Sequence, residues 1–206
     1  MGSSVSLGAN TFQPLVGEQS VIISIPFLGY DIEDGDEEGF LLRLLDVGKP
    51  VETFYNFQTA RSVKYKNLTF YSFFYGGNAK ELRMLFRHFV DGCRGLVFVL
   101  NCDSKSSSEL KSHLHDAKDM FYDFFSLIKP SCDFILVLSN SRSLPFSESA
   151  DKIEDMLGLE KLRAKKWRVQ ETCFSSGKGI REGMEWLVAN IASDLMAERK
   201  QTRADE

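Results

Sequence analysis

The 206 residues are enough for one domain with short extensions and too few for two full cores. Hydrophobic residues make up 43% and charged residues 26%, an ordinary globular balance that excludes wholesale disorder, and no apolar run reaches the ~18 residues of a membrane span. The net charge of −4 supplies no global basic field, so nucleic acid is not an expected partner.

Residues 1–19 carry Ser, Gly and Pro but no Lys or Arg, and read as an N-terminal extension. Val21-Ile22-Ile23-Ser24-Ile25 reads as a buried strand. An acidic stretch follows, in which Asp31, Glu33, Asp34, Asp36, Glu37 and Glu38 place six carboxylates in eight positions. A short helix is expected from about Phe40 to Asp46. Val63–Tyr65 and Leu68–Phe74 flank Lys66-Asn67 as a hairpin, and Gly76-Gly77 breaks the second run. Leu82, Leu85, Phe86 and Phe89 recur at helical spacing over 79–91. Gly95–Leu100 and Phe134–Leu138 are continuous apolar runs and read as buried strands. Ser106–Lys129 is a long amphipathic pattern. Ser147–Leu157 reads as a helix stopped by Gly158, Trp167–Cys173 as a strand, and 178–196 as the last helix. The polar residues 197–206 are expected to fray as a flexible tail.

Apolar strands alternating with helices point to a mostly parallel sheet covered on both faces. The expected sheet has six strands, with the hairpin adding one antiparallel edge strand. The four cysteines (Cys93, Cys102, Cys132 and Cys173) form no Cys-x-x-Cys pair, and no secretory segment follows Met1. They read as reduced, buried, intracellular thiols. The sequon at Asn67 then reads only as a turn.

Several segments, in order, resemble one family. Val63-Lys64-Tyr65-Lys66-Asn67-Leu68-Thr69-Phe70 is similar to the hairpin between the two switches of Arf-type small GTPases. Tyr75-Gly76-Gly77-Asn78 resembles their second switch, and Leu85-Phe86-Arg87-His88-Phe89 the Leu-Trp-Arg-His-Tyr that follows. Gly95-Leu96-Val97-Phe98-Val99, Leu157-Gly158-Leu159, Thr172-Cys173-Phe174-Ser175-Ser176-Gly177-Lys178-Gly179 and Trp186 also match. The resemblance runs from about residue 20 to 195. It implies a small-GTPase α/β fold over 20–196 and, in ordinary members, a GTP and magnesium site.

That site is tested motif by motif. A P-loop, Gly-x-x-x-x-Gly-Lys-[Ser/Thr], cradles phosphates with its amides and neutralises them with its Lys. Gly48-Lys49 is followed by Pro50, and Gly177-Lys178 by Gly179, so neither qualifies. At the expected turn stands Gly29, followed by the acidic run, with Glu38 near the position of the P-loop Lys. A carboxylate about 5 Å from a phosphate is repelled by roughly 3 kcal/mol at an effective dielectric near 20. Phe74 stands where the family carries a magnesium-side Asp before Gly77. Thr53-Phe54-Tyr55-Asn56-Phe57 holds no clear first-switch Thr. Asn78 replaces the water-orienting Gln and is one methylene shorter. Asn140-Ser141-Arg142-Ser143 keeps the Asn of the guanine-reading motif but has Ser143 in place of its carboxylate. In the last base-contacting turn, Cys173-Phe174-Ser175, Phe174 replaces a small Ala. Gly29, Glu38, Phe74, Gly76, Gly77, Asn78, Asn140, Ser143, Cys173, Phe174 and Ser175 are thus degenerate remnants of a nucleotide site.

Other residues carry weaker signals. Phe57, Phe73 and Phe89 match aromatics that line the family's effector pocket, which implies a protein effector or complex subunit binding through 53–92; core packing is the other reading. Asp34-x-Asp36-x-Glu38-Gly39 matches the first half of an EF-hand loop, but Leu45 stands where the bidentate Glu belongs, so no metal is expected. His113 and His115, two apart on a helix, face different ways and cannot chelate together. Lys161, Arg163, Lys165, Lys166 and Arg168 form a basic run that reads as a solvated face, or as a contact for an acidic partner or lipid headgroups. Gly2 fits the N-myristoylation pattern Met-Gly-x-x-x-Ser, which the family commonly uses. A single chain gives only marginal anchoring, on the order of 10⁴ M⁻¹.

The sequence therefore predicts an Arf-like pseudoGTPase, catalytically inactive and without a cofactor, acting as a scaffold in membrane trafficking. Its expected place is cytoplasmic and peripheral on intracellular membranes. Two other readings stand beside it: an atypical GTPase holding GTP or GDP through non-standard contacts, and a cation-dependent interaction module using residues 31–38.

Overall fold

The computed structural model describes residues 19–26, 51–55, 58–65, 68–75, 93–102, 107–128, 132–141, 149–174 and 176–204, and every structural statement concerns these. The strands are β1 (Gln19–Pro26), β2 (Val51–Tyr55), β3 (Gln58–Tyr65), β4 (Leu68–Tyr75), β5 (Cys93–Asn101), β6 (Phe134–Asn140) and β7 (Lys166–Thr172). The helices are α1 (Ser107–Ile128), α2 (Ala150–Leu157) and α3 (Ile180–Ala204), with a 3₁₀ turn at Leu159–Lys161. The expected helices near 40–46 and 79–91 lie outside the described residues.

The strands join one sheet in the order β2-β3-β4-β1-β5-β6-β7. β1 is parallel to both β4 and β5, and β5, β6 and β7 continue in parallel. Five strands therefore end on the same edge of the sheet, at Pro26, Tyr75, Asn101, Asn140 and Thr172. The β3–β4 hairpin forms as expected, with Tyr65 opposite Leu68.

The expected six strands and single antiparallel edge are corrected to seven strands with two antiparallel pairings. Val51–Tyr55 pairs with β3 from Val51↔Ser62 to Tyr55↔Gln58. Val51–Tyr55, which overlaps the first-switch stretch at Thr53-Phe54-Tyr55, carries Val, Thr, Phe and Tyr, the residues that favour a pleated surface. β3 begins at Gln58 rather than at Val63.

The alternation of β5 and β6 fills two core layers. Leu96, Phe98, Leu100, Ile135 and Val137 pack with Phe121, Phe124, Phe125 and Ile128 of α1 and Ile153 and Leu157 of α2. Val97, Val99, Phe134, Leu136 and Leu138 pack with Ile180, Met184, Leu187, Val188 and Ile191 of α3. Strands buried on both faces must be apolar at every position, which explains their unbroken runs. Several of the chain's 17 Phe residues lie here. Phe98 meets Phe121 edge to face at 5.2 Å, and Phe121 stacks on Phe125 at 6.1 Å. Such pairs contribute about 0.5–1.5 kcal/mol beyond their buried area.

Helix α2 starts at Ser149, whose hydroxyl accepts from Lys152 N–H, and stops at Gly158 in the left-handed conformation, φ 64°. The expected Gly stop is therefore correct, and the first helical residue is Ala150 rather than Ser147. The last helix is longer than expected. It continues to Ala204 instead of ending at 196, so 197–204 are helical rather than a frayed tail. Ala197, Glu198, Arg199, Lys200 and Gln201 are good helix formers, and Glu198 is tied to Arg94 at 2.7 Å.

Candidate functional site

In doubly wound sheets, ligands gather where the parallel strands end. Here that edge carries Asn101 and Cys102 after β5, Asn140 and Ser141 after β6, and Thr172, Cys173 and Phe174 after β7. Asn101 stands beside Asn140, and Asn140 beside Thr172, in strand register. Polar groups in so closed a place need partners, and they have them. Thr172 Oγ1 donates to Ser139 O at 3.2 Å, Cys102 Sγ lies 3.1 Å from Ser139 Oγ, and Ser141 N–H donates to Thr172 O at 3.0 Å.

Asn140 is the centre of this edge. It is 2% exposed, and its Oδ1 accepts from Phe174 N–H at 2.9 Å. Its backbone carbonyl accepts from Cys102 N–H at 2.7 Å. One residue thus couples the ends of β5 and β6 to the turn after β7.

That turn, Cys173–Gly179, closes on itself. Cys173 N–H donates to Lys178 O at 2.9 Å, and Gly177 N–H to Cys173 O at 2.8 Å. The closure needs Gly179. Its φ is +78°, and a Cβ there would sit 2.0 Å from Glu171 O. No L-side chain fits without moving the backbone. Phe174 is half-buried, with its ring packed against the α3-side core.

The structure therefore brings together three of the sequence-predicted residues, Asn140, Cys173 and Phe174. Phe73 and Phe74 are placed by their backbone alone, at the end of β4 opposite Ser24 and Ile25 of β1. They reach the same sheet edge, three strand spacings from β6, or about 14 Å. Gly2, Gly29, Glu38, Phe57, Gly76, Gly77, Asn78, Phe89, Ser143 and Ser175 lie outside the described residues. Sequence reading missed Asn101, Cys102, Ser139 and Thr172. Thr172 heads the segment that resembles the family, and the signal for the other three was position: polar residues at the C-terminal ends of apolar strands.

The described strand-end residues are themselves uncharged, with Glu171 and Lys178 beside them. The strand-end residues from Asn101 to Phe174 supply carboxamides, hydroxyls, thiols and backbone groups, and none is a carboxylate or a cation. These residues hydrogen-bond one another. Among the described residues, no three His, Cys, Asp or Glu side chains are placed to hold a metal ion. Among them too, no helix is long and apolar enough to cross a membrane.

A parallel sheet layered with helices on both faces, its polar residues gathered at the strand ends, defines a small-GTPase-type α/β domain. The ADP-ribosylation factor (Arf) family model matches residues 50–191, and the chain belongs to that family of small GTPases. The match takes in β2 through Ile191 and begins after Gly29 and Glu38.

Proposed function

We propose that the protein is an Arf-like pseudoGTPase, a scaffold that binds a protein partner with little or no GTP binding or hydrolysis. The observation that carries this reading is the donor set at the strand ends. The one guanine-reading residue that remains, Asn140, spends its side-chain oxygen on Phe174 N–H, and Phe174 fills its turn with a ring packed into the core. The sequence supports the same reading at Glu38, Phe74 and Ser143, where a cation, a magnesium-side carboxylate and a base-reading carboxylate are replaced. Each loss removes a charge–charge or charge-assisted contact, a class of interaction about twice as strong as its neutral counterpart.

Without a nucleotide cycle, the family's interaction surface remains available. The partner is an effector or complex subunit in membrane trafficking, taken up through residues 53–92 with Phe57, Phe73 and Phe89 as anchors. A myristoyl group on Gly2 would add weak, reversible membrane contact. The test is calorimetric titration of the full chain with GTP or GDP and magnesium. Binding weaker than about 100 μM, some 5.5 kcal/mol at 25 °C, is expected. Micromolar affinity would sink the pseudoGTPase reading in favour of an atypical GTPase.

A further inference from the structure

β7 is the last strand of the described sheet, at the opposite edge from β2. Successive backbone groups of a strand alternate sides. Lys166 N–H donates to Asp133 O ahead of β6, and Thr172 O accepts from Ser141 N–H beyond it. The even-numbered residues of β7 therefore pair inward. The N–H groups of Trp167, Val169 and Glu171 and the C=O groups of Trp167 and Val169 face outward, with no strand beside them among the described residues, while the Glu171 carbonyl accepts from Gln170 Nε2 at 3.1 Å and lies against Gly179.

The side chains around this open edge are strongly one-sided. Residues 161–168, Lys-Leu-Arg-Ala-Lys-Lys-Trp-Arg, hold five cations and no carboxylate, in a chain whose net charge is −4. Lys165 is committed to Asp133 and Asp194, and Lys166 to Asn190. Lys161, Arg163 and Arg168 make no ion pair among the described residues. Lys161 and Arg163 are exposed, and Arg168 is half-buried on the face of β7 that carries Lys166. Below this face the strand is firmly held: Trp167 Nε1 donates to Glu154 Oε1 at 2.8 Å, and Trp167 and Val169 pack against the α1-side core.

We propose that the outer edge of β7 takes up an extended acidic segment of a partner protein as an added strand. An open edge offers backbone pairing to any strand, and the side chains decide which one is accepted. A second copy of β7 would set Lys166 and Arg168 against their own kind, which like-charge repulsion across a strand pair disfavours. A strand with carboxylates opposite 161–168 meets the three uncommitted cations instead. Glu171 lies at the far end, so the attraction is concentrated at the N-terminal half of β7.

The experiment uses the full chain and a blocked ten-residue peptide alternating Glu with Thr and Val. Binding is read by fluorescence anisotropy and by amide exchange. Exchange at Trp167, Val169 and Glu171 is expected to slow on binding. Arg163→Glu/Arg168→Glu should weaken binding at least tenfold. The same peptide N-methylated at alternate residues, which keeps its charge but cannot pair, should also lose at least tenfold against the unaltered protein. The proposal is overturned if millimolar peptide leaves exchange at β7 unchanged. Equal binding of the N-methylated peptide would reduce the effect to charge attraction and overturn it too. So would phosphatidylserine vesicles that bind through Arg163 and Arg168 when the peptide does not.

Discussion

Asn140 holds the ends of β5 and β6 and the turn after β7 together. Its carboxamide oxygen caps the turn after β7, and its carbonyl fixes Cys102. Asn140→Ala would leave Phe174 N–H without that acceptor in a half-buried place. Losing such a partner destabilises by about 1–3 kcal/mol. An unfolding free energy in urea lowered by that amount is the expected result. A cysteine supplies a second residue-scale test. Burial first, and then the neighbouring Cys93 thiol, push the Cys132 thiol well above its ordinary range. The raised native value means that the unfolded chain ionises first. The stability this residue contributes is therefore intact below about pH 8.5 and falls as pH rises beyond it, by at most about 1.4 kcal/mol per pH unit. Unfolding free energy measured from pH 7.5 to 10.5 should decline, and Cys132→Ala should flatten that decline. A slope unchanged by the substitution would mean that Cys132 ionises alike in both states.

The last helix and the second strand mark where elements were legible and where they were not. Buried elements were read well because both faces of β5 and β6 must be apolar, and a Gly stop such as Gly158 needs only its own left-handed backbone. β2 was missed because nothing in Val51–Tyr55 distinguishes an edge strand from a switch segment until β3 is known to extend back to Gln58. The end of α3 was missed because its reason lies about a hundred residues upstream. Arg94, at the start of β5, contacts Asp133, Asp194 and Glu198, while Lys165 bridges Asp133 at 3.2 Å and Asp194 at 2.9 Å. Burial works against the Arg94 charge, yet Glu198, Asp133 and Asp194 outweigh it and hold its pKa above the ordinary value. The hydrogen bond to Asp194 does the same for Lys165. Ending the chain at Ala197 removes Glu198 from this cluster. The truncated protein should lose about 1–2 kcal/mol, the scale of a charge-assisted bond in a partly screened place, read from its urea midpoint. A midpoint equal to that of the full chain would return 198–206 to the status of a frayed tail.

At the scale of the whole molecule, the proposed pseudoGTPase reading separates fold from nucleotide chemistry. The sheet order and the two core layers depend on apolar periodicity, which a sequence displays openly. The site depends on a few charged residues, and Asn140 looks the same in sequence whether it reads a base or ties down a turn. The difference has a dynamic consequence. In nucleotide-cycling GTPases, the γ-phosphate and magnesium order the switches, and loss of the phosphate releases them. A ligand shifts an equilibrium only by its differential affinity for the two states. At 1 mM, a nucleotide with a dissociation constant of about 1 mM stabilises the state it binds by only about 0.4 kcal/mol. Strands β2, β3 and β4, meanwhile, are continuously paired from Val51 to Tyr75 except at the two connections, and β4 is locked onto β1 over eight residues. Releasing β2 would require breaking the Val51–Tyr55 ladder without a γ-phosphate contact to replace it. Amide exchange over 51–75 should therefore be the same with and without 1 mM GTP and magnesium. Exchange that slows there only when GTP is added would show a working switch and return the protein to the atypical GTPases.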